Sequence, residues 1–149
     1  MGSATSQKSF LNKKVIILVV SLILTGVVMR YFSPANKLDA RLFYTFDQAV
    51  SYLESLSEVQ KQNYFYAEMF DFWYMVNYTW LIFLAVKKWP AFVPGILDFL
   101  ETSLIVTYLM SNELLMIHQA LPLISATKWF SGFCLLGYLG YKRLRTAIR

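Results

Sequence analysis

Four long apolar runs, separated by short polar stretches, set the pattern of this chain. The first, residues 15–32 (VIILVVSLILTGVVMRYF), follows Lys13 and Lys14 and is interrupted near its end only by Arg30. The second covers residues 65–86 and the third residues 92–110, separated by Lys87-Lys88-Trp89-Pro90-Ala91; a fourth covers residues 114–141. Spanning a hydrocarbon core of about 30 Å takes about 20 predominantly apolar residues in a helix. The pattern therefore predicts an all-α fold, an integral membrane bundle of four transmembrane helices. The short link makes the second and third helices antiparallel neighbours. Within the fourth run, the part holding His118 and Pro122 reads as interfacial, and the better-defined span follows Thr127.

The segment between the first two spans, residues 33–64, is too patterned for a plain loop. Thr45-Phe46-Asp47-Gln48 and Ser57-Glu58-Val59-Gln60 both fit the capping box, in which a hydroxyl caps the first turn and a Gln three residues on reaches back. Two helices are predicted to start there. In the first, Phe46, Ala49, Val50, Leu53 and Leu56 recur at helical spacing, while Asp47, Gln48, Ser51 and Glu54 take other faces. This is an amphipathic helix of the outer loop, lying along the surface. Its polar face is acidic, whereas interfacial helices usually carry Lys and Arg, so packing on the bundle competes with lipid contact. The second helix starts near Glu58 and runs on into span two, giving almost 30 residues and a length of roughly 43 Å at 1.5 Å per residue.

Composition sharpens this picture. Hydrophobic residues make up 57 % of the 149 positions and charged residues 15 %, against soluble values of about 45–50 % and about 25 %. Four spans and their connections consume the chain as one domain, residues 1–149, and leave no room for a soluble catalytic domain. The net charge of +5 does not point to nucleic acid, because the basic residues sit at the ends of apolar runs and not in a stripe interleaved with aromatics. They report orientation instead. Lys8, Lys13 and Lys14, the hairpin Lys87 and Lys88, and Lys142, Arg143, Arg145 and Arg149 lie in segments without an acid, so the positive-inside rule puts both termini in the cytoplasm. The host is a plasma or inner membrane, or an endomembrane. The basic flank of the first run and Ser33-Pro34-Ala35 also fit a cleavable signal, but the apolar core exceeds the roughly 7–15 residues usual there, which favours an uncleaved anchor. Cys134, the one cysteine, excludes an internal disulfide and a CxxC pair and is expected to be a buried apolar residue.

Candidate chemistry lies in the polar residues inside the spans. A charge costs roughly 2.5–3.5 kcal/mol at mid-membrane and usually faces the bundle interior. Tyr64, Glu68, Asp71, Met75 and Tyr78 fall on one stripe of the second helix, and Asp98, Glu101 or Thr102, and Tyr108 on one stripe of the third. Counted from the expected cytoplasmic ends, Asp71 lies about 22 Å out and Lys128 about 20 Å, with Glu101 and Asn77 nearer 14 Å. Depth thus pairs Lys128 with Asp71, its proximity to two carboxyls draws it toward Glu101, and Asn77 is expected to hydrogen-bond to the carboxyls of span three. Together Glu68, Asp71, Asn77, Asp98, Glu101 and Lys128 form a binding or structural polar seam. Aromatic residues are dense nearby, with 14 of the 26 between Phe43 and Phe83. They read either as an interfacial belt or as a pocket for an apolar ligand, with Tyr64, Tyr74, Tyr78 and Tyr108 as its lining.

No HExxH, GxSxG or glycine-rich phosphate loop occurs, and His118 has no nucleophile partner and reads as a solvated interfacial residue. Asp98 and Glu101 share a helix face, but that spacing is common, so no catalytic residue, metal or cofactor is assigned. The Asn77-Tyr78-Thr79 sequon falls inside a span, where glycosylation is not expected. Three readings follow. The first is a non-enzymatic subunit or accessory component whose partners are the bilayer and a lipid, a membrane protein or a second copy of itself. The second is a small proton or ion pathway through Asp71, Asp98, Glu101 and Lys128. The third is a lipid-modifying intramembrane enzyme. Tyr66-Ala67-Glu68-Met69-Phe70-Asp71, Asp98-Phe99-Leu100-Glu101 and Ala126-Thr127-Lys128-Trp129 give residues 40 to 140 a pattern that resembles small uncharacterised four-helix membrane proteins. That resemblance implies the architecture and no activity.

Overall fold

The computed structural model describes residues 3–34, 37–111, 113 and 116–147, with side chains between residues 13 and 145 of those ranges, Met116 excepted. All regular structure among the described residues is helical: α1 (Ser3–Phe32), α2 (Phe46–Ser55), α3 (Glu58–Val86), α4 (Val93–Ser111) and α5 (Leu121–Ala147), with 3-10 turns at Leu38–Ala40, Trp89–Phe92 and Met116–Ala120. Four stretches, Lys13–Phe32, Glu58–Val86, Trp89–Ser111 and Ile117–Arg145, are long and apolar enough to cross a membrane. Ala35 of the small-residue pattern, the expected start of the fourth run at Leu114, and Arg149 lie outside the described residues.

Local sequence sets the helix ends. Both capping boxes form. Gln48 N donates to Thr45 Oγ1 at 3.3 Å and Thr45 N to Gln48 Oε1 at 3.0 Å; Gln60 N donates to Ser57 Oγ at 3.3 Å and Ser57 N to Gln60 Oε1 at 2.9 Å. Each satisfies backbone donors that a first turn leaves open. From Ser57 the helix runs unbroken through 29 residues to Val86. It stops where Lys87 turns left-handed at φ 56° and closes its N–H onto Phe83 O at 2.7 Å, and Pro90 follows. The fourth long helix begins at Leu121, seven residues before the start expected after Thr127, because Pro122 sits in its first turn, where a missing N–H costs nothing.

Helix α1 packs along α3, α3 along α4, and α4 along α5. Trp73 Nε1 ties α3 to α1 through Ser21 Oγ at 3.1 Å. Tight apolar packing is concentrated at one end, where Leu38, Tyr44 and the α2 residues Ala49 and Leu53 meet Tyr64 and Ala67 of α3, Ile105 and Tyr108 of α4, and Leu121 of α5. His118 belongs to this packing. It is fully buried, with Nε2 3.0 Å from Leu104 O and its ring edge-on to Tyr108, and so is not the solvated residue expected from its neighbours in sequence. Along the rest of the bundle the distribution is reversed. Ile16, Ile23 and Val27 of α1, Trp73, Val76 and Trp80 of α3, Ile96 and Phe99 of α4, and Phe130, Phe133 and Leu136 of α5 are exposed, while charged and hydroxyl groups are buried. Cys134, expected inside, is on this exposed face of α5.

Candidate functional site

The buried polar groups form one network centred on Lys128. Its Nζ donates to Glu101 Oε2 at 2.5 Å, to Asp98 Oδ1 at 2.8 Å and to the backbone oxygen of Asp39 at 3.2 Å. An ammonium has three protons to donate, so these acceptors saturate it. Asp98 and Glu101 are one turn apart on α4 and present both carboxylates to the neighbouring helix. Their remaining oxygens are also used: Tyr44 OH donates to Glu101 Oε1 at 2.8 Å and Tyr78 OH to Asp98 Oδ2 at 2.7 Å.

The partner suggested by depth, Asp71, is not on Lys128. It accepts instead from Thr102 Oγ1 at 3.0 Å, linking α3 to α4. The helices in contact account for the difference: α5 packs against α4, so the α4 carboxyls are nearer than one on α3. Asn77 also differs from expectation. Its Nδ2 donates to Trp73 O at 2.7 Å, within its own helix, and not to the carboxyls of α4.

A second cluster was not legible as a site. Lys37, Asp39 and Tyr44 come from the connection between α1 and α2, where the sequence predicts no helix, yet Asp39 and Tyr44 are buried. Lys37 Nζ lies 2.5 Å from Asp39 Oδ2 and 3.9 Å from Glu68 Oε1. Tyr64 OH donates to Asp39 Oδ1 at 3.3 Å and accepts Leu38 N at 3.2 Å. Burial disfavours the charged form of Lys37, but the carboxylates of Asp39, Glu68 and Asp71 outweigh it and hold its pKa above the ordinary lysine value. Burial and the Glu101 carboxylate likewise push Tyr44 up, so it stays a donor. Trp129 Nε1 and Ser125 Oγ hold the same connection to α5 through Arg41 O, at 3.0 and 3.5 Å. The one available sequence signal was the spacing of Lys37 and Asp39 around Leu38, which carries no periodicity.

Glu68 stands apart. It is fully buried, and neither of its carboxylate oxygens has a hydrogen-bond partner among the described residues. Carboxylate oxygens of Asp39, Glu68 and Asp71 lie within 4.8 Å of one another; these three could supply ligand atoms to a cation.

The network forms the wall of a cavity of about 660 Å³. Gly26, Met29 and Arg30 line it from α1, Tyr74 and Tyr78 from α3, Pro94 from α4, and Trp129 and Gly132 from α5. Arg30, Lys37, Asp39, Asp71, Asp98 and Lys128 supply its charged surface. A second hollow of about 440 Å³ shares Gly26, Arg30 and Tyr74 with it and is otherwise lined by Leu22, Ile23 and Val27. Of the four tyrosines considered as a pocket lining, Tyr74 and Tyr78 line the cavity, whereas Tyr64 and Tyr108 are packed in the apolar core. Comparison with protein-family models, with curated proteins and with solved structures finds no significant match.

Proposed function

We propose that this is a non-enzymatic integral membrane protein that binds an amphiphilic ligand, a lipid or a lipid-like molecule, in the cleft between α1 and α5. The observation that carries this reading is the junction of a charged cavity with an apolar hollow through Gly26, Arg30 and Tyr74. An amphiphile needs both: a polar end satisfied by fixed hydrogen-bonding groups, and an apolar end removed from water. The outward-facing Ile, Val, Phe and Trp side chains of the long helices support a lipid surround, in which α1, α3, α4 and α5 are the transmembrane helices. Helix α2, with Ala49 and Leu53 buried and Asp47, Gln48 and Glu54 exposed, is then the amphipathic helix of the outer loop, held on the protein's own bundle. Lys13, Lys14, Lys87, Lys88, Lys142, Arg143 and Arg145 face the cytoplasm together with both termini. In a Cys134→Ser background, a cysteine at position 47 should react with an impermeant maleimide from outside, and one at position 145 only after permeabilisation. The reverse pattern would overturn the orientation.

Gly132→Leu tests the cleft. Gly132 lines the cavity and an added Cβ there meets nothing within 4 Å, so a leucine is expected to take up part of the cavity. Replacing a helical glycine also gains up to about 1 kcal/mol of helix propensity. The variant should therefore keep or raise its thermal stability in detergent while losing lipid that co-purifies with the wild type, read by native mass spectrometry. Undiminished lipid binding would place the ligand elsewhere. If purified wild-type protein instead dissipates a proton gradient in liposomes and Asp71→Asn does not, a proton pathway replaces the binding reading.

A further inference from the structure

Five carboxyl groups, Asp39, Glu68, Asp71, Asp98 and Glu101, are buried in this bundle, and two ammonium groups answer them. Lys128 is saturated by Asp98, Glu101 and the Asp39 carbonyl. Lys37 is in contact with Asp39 and is 3.9 Å from Glu68. Asp71 is therefore left without an ammonium within salt-bridge distance among the described residues, and Glu68 has only the long 3.9 Å approach of a lysine it shares with Asp39. Glu68 is the more costly of the two, since a buried carboxyl with no hydrogen bond forfeits its hydration outright. One of its oxygens lies within 4.8 Å of carboxylate oxygens of Asp39 and Asp71, and Asp39 and Asp71 line the cavity.

We propose that the polar end of the cleft ligand is a protonated amine seated on the Asp71 carboxylate, with Glu68 behind it and the apolar tail in the hollow along α1. This rests on the amphiphile reading above. Tyr74 and Tyr78 line the same cavity, and ring faces attract an ammonium by about 0.5–2 kcal/mol. Of the three aspartates in the cavity wall, Asp39 lies 2.5 Å from Lys37 and Asp98 2.8 Å from Lys128, whereas Asp71 has no ammonium within salt-bridge distance among the described residues, so an amine headgroup would neutralise it and a carboxylate or sulfate would not. Arg30 also lines the cavity but is exposed, unlike the buried groups of this wall. A divalent metal fits the donors less well. Calcium and magnesium take six or more oxygens, and a metal among Asp39, Glu68 and Asp71 would have to evict the Lys37 ammonium from Asp39. An amine on the cavity side of Asp71 leaves that contact in place.

Equilibrium binding of radiolabelled hexadecylamine, hexadecanol and hexadecanoate to the purified full chain in detergent tests the assignment. These probes share a chain and differ in the headgroup. The amine should bind once per chain and at least about tenfold more tightly than the alcohol, the size of one desolvated cation–aromatic and ion contact. Asp71→Asn should remove that preference, bringing the affinities for amine and alcohol together. Equal binding of amine and alcohol to the wild type would overturn the amine assignment and leave the cleft standing. Binding of none of the three by folded protein would overturn the cleft reading itself. Binding of Mn²⁺ that Asp71→Asn abolishes, without any amine preference, would replace the amine with a metal. The probe series is read on the wild-type chain, so the assignment stays open to refutation even if Asp71→Asn does not fold.

Discussion

Lys128→Met is expected to destabilise the protein by about 3–5 kcal/mol, the cost of leaving a buried charge without its partner. Lys128 gives protons to two carboxylates at once, at 2.5 and 2.8 Å, and also holds the Asp39 carbonyl at 3.2 Å. Methionine matches the length and apolar volume of the lysine stem but supplies none of these donors. Both acids then face each other across one helical turn of α4 with only the hydroxyls of Tyr44 and Tyr78 for company, and the connection before α2 loses one of its ties to α5, keeping those from Trp129 and Ser125. Rescue separates the partners. Adding Asp98→Asn and Glu101→Gln together should recover much of the loss, since removing all members of a buried ionic group can be nearly neutral. Adding either one alone should recover part, and adding Asp71→Asn almost none, because Asp71 is bonded to Thr102 and not to Lys128. Chemical denaturation in detergent micelles gives the comparison. An unchanged midpoint for Lys128→Met would mean that the ammonium is dispensable to the fold, and recovery through Asp71→Asn would show that the network is connected differently.

The same network shows what a single sequence can and cannot carry. Thr45 and Ser57 announce two helix starts because capping chemistry is local: the hydroxyl and the Gln that complete each box lie within three residues of each other. The α3 stripe of Tyr64, Glu68, Asp71 and Met75 is likewise legible from spacing, and all four are buried because helical periodicity puts them on one side. Pairing across helices is another matter. Depth along a helix follows from counting, but which neighbour a side chain meets depends on rotation about the axis and on which helices touch, and neither is written in the periodicity. Asp71 and Lys128 therefore match in depth and still find different partners. Lys37, Asp39 and Tyr44 escape for a related reason. They sit in a short polar connection with no repeat, and their role comes from that connection folding back over α3 and α5, held by Tyr64, Lys128 and Trp129. His118 and Cys134 exchange their expected places because average burial tendencies say little once apolar side chains face outward.

The close approach of α3 and α4 leads to the second large effect, at Gly95. This buried glycine lies in the first turn of α4, next to Pro94 and one turn before Asp98. A Cβ added there would come within 3.1 Å of both Cβ and Cγ2 of Thr79 on α3, and nearer still to its Oγ1. Thr79 is β-branched and has few rotamers to retreat into, so the helices themselves must separate. Overpacking of this kind costs about 1–3 kcal/mol, occasionally more, against up to about 1 kcal/mol of helix propensity gained on replacing glycine. Gly95→Ala should therefore destabilise slightly, and Gly95→Leu by at least about 3 kcal/mol. Because the strain arises at one contact, adding Thr79→Ala should recover more of the Gly95→Ala loss than additivity allows, a coupling that a double-mutant cycle reads directly. The effect should also reach the cleft. Moving α4 from α3 stretches the 2.7 Å bond from Tyr78 to Asp98 and loosens a carboxylate that holds Lys128, so amphiphile binding should weaken in Gly95→Leu together with stability. In Gly132→Leu, by contrast, binding should fall alone. If Gly95→Leu melts with the wild type, α3 and α4 are not in the contact described.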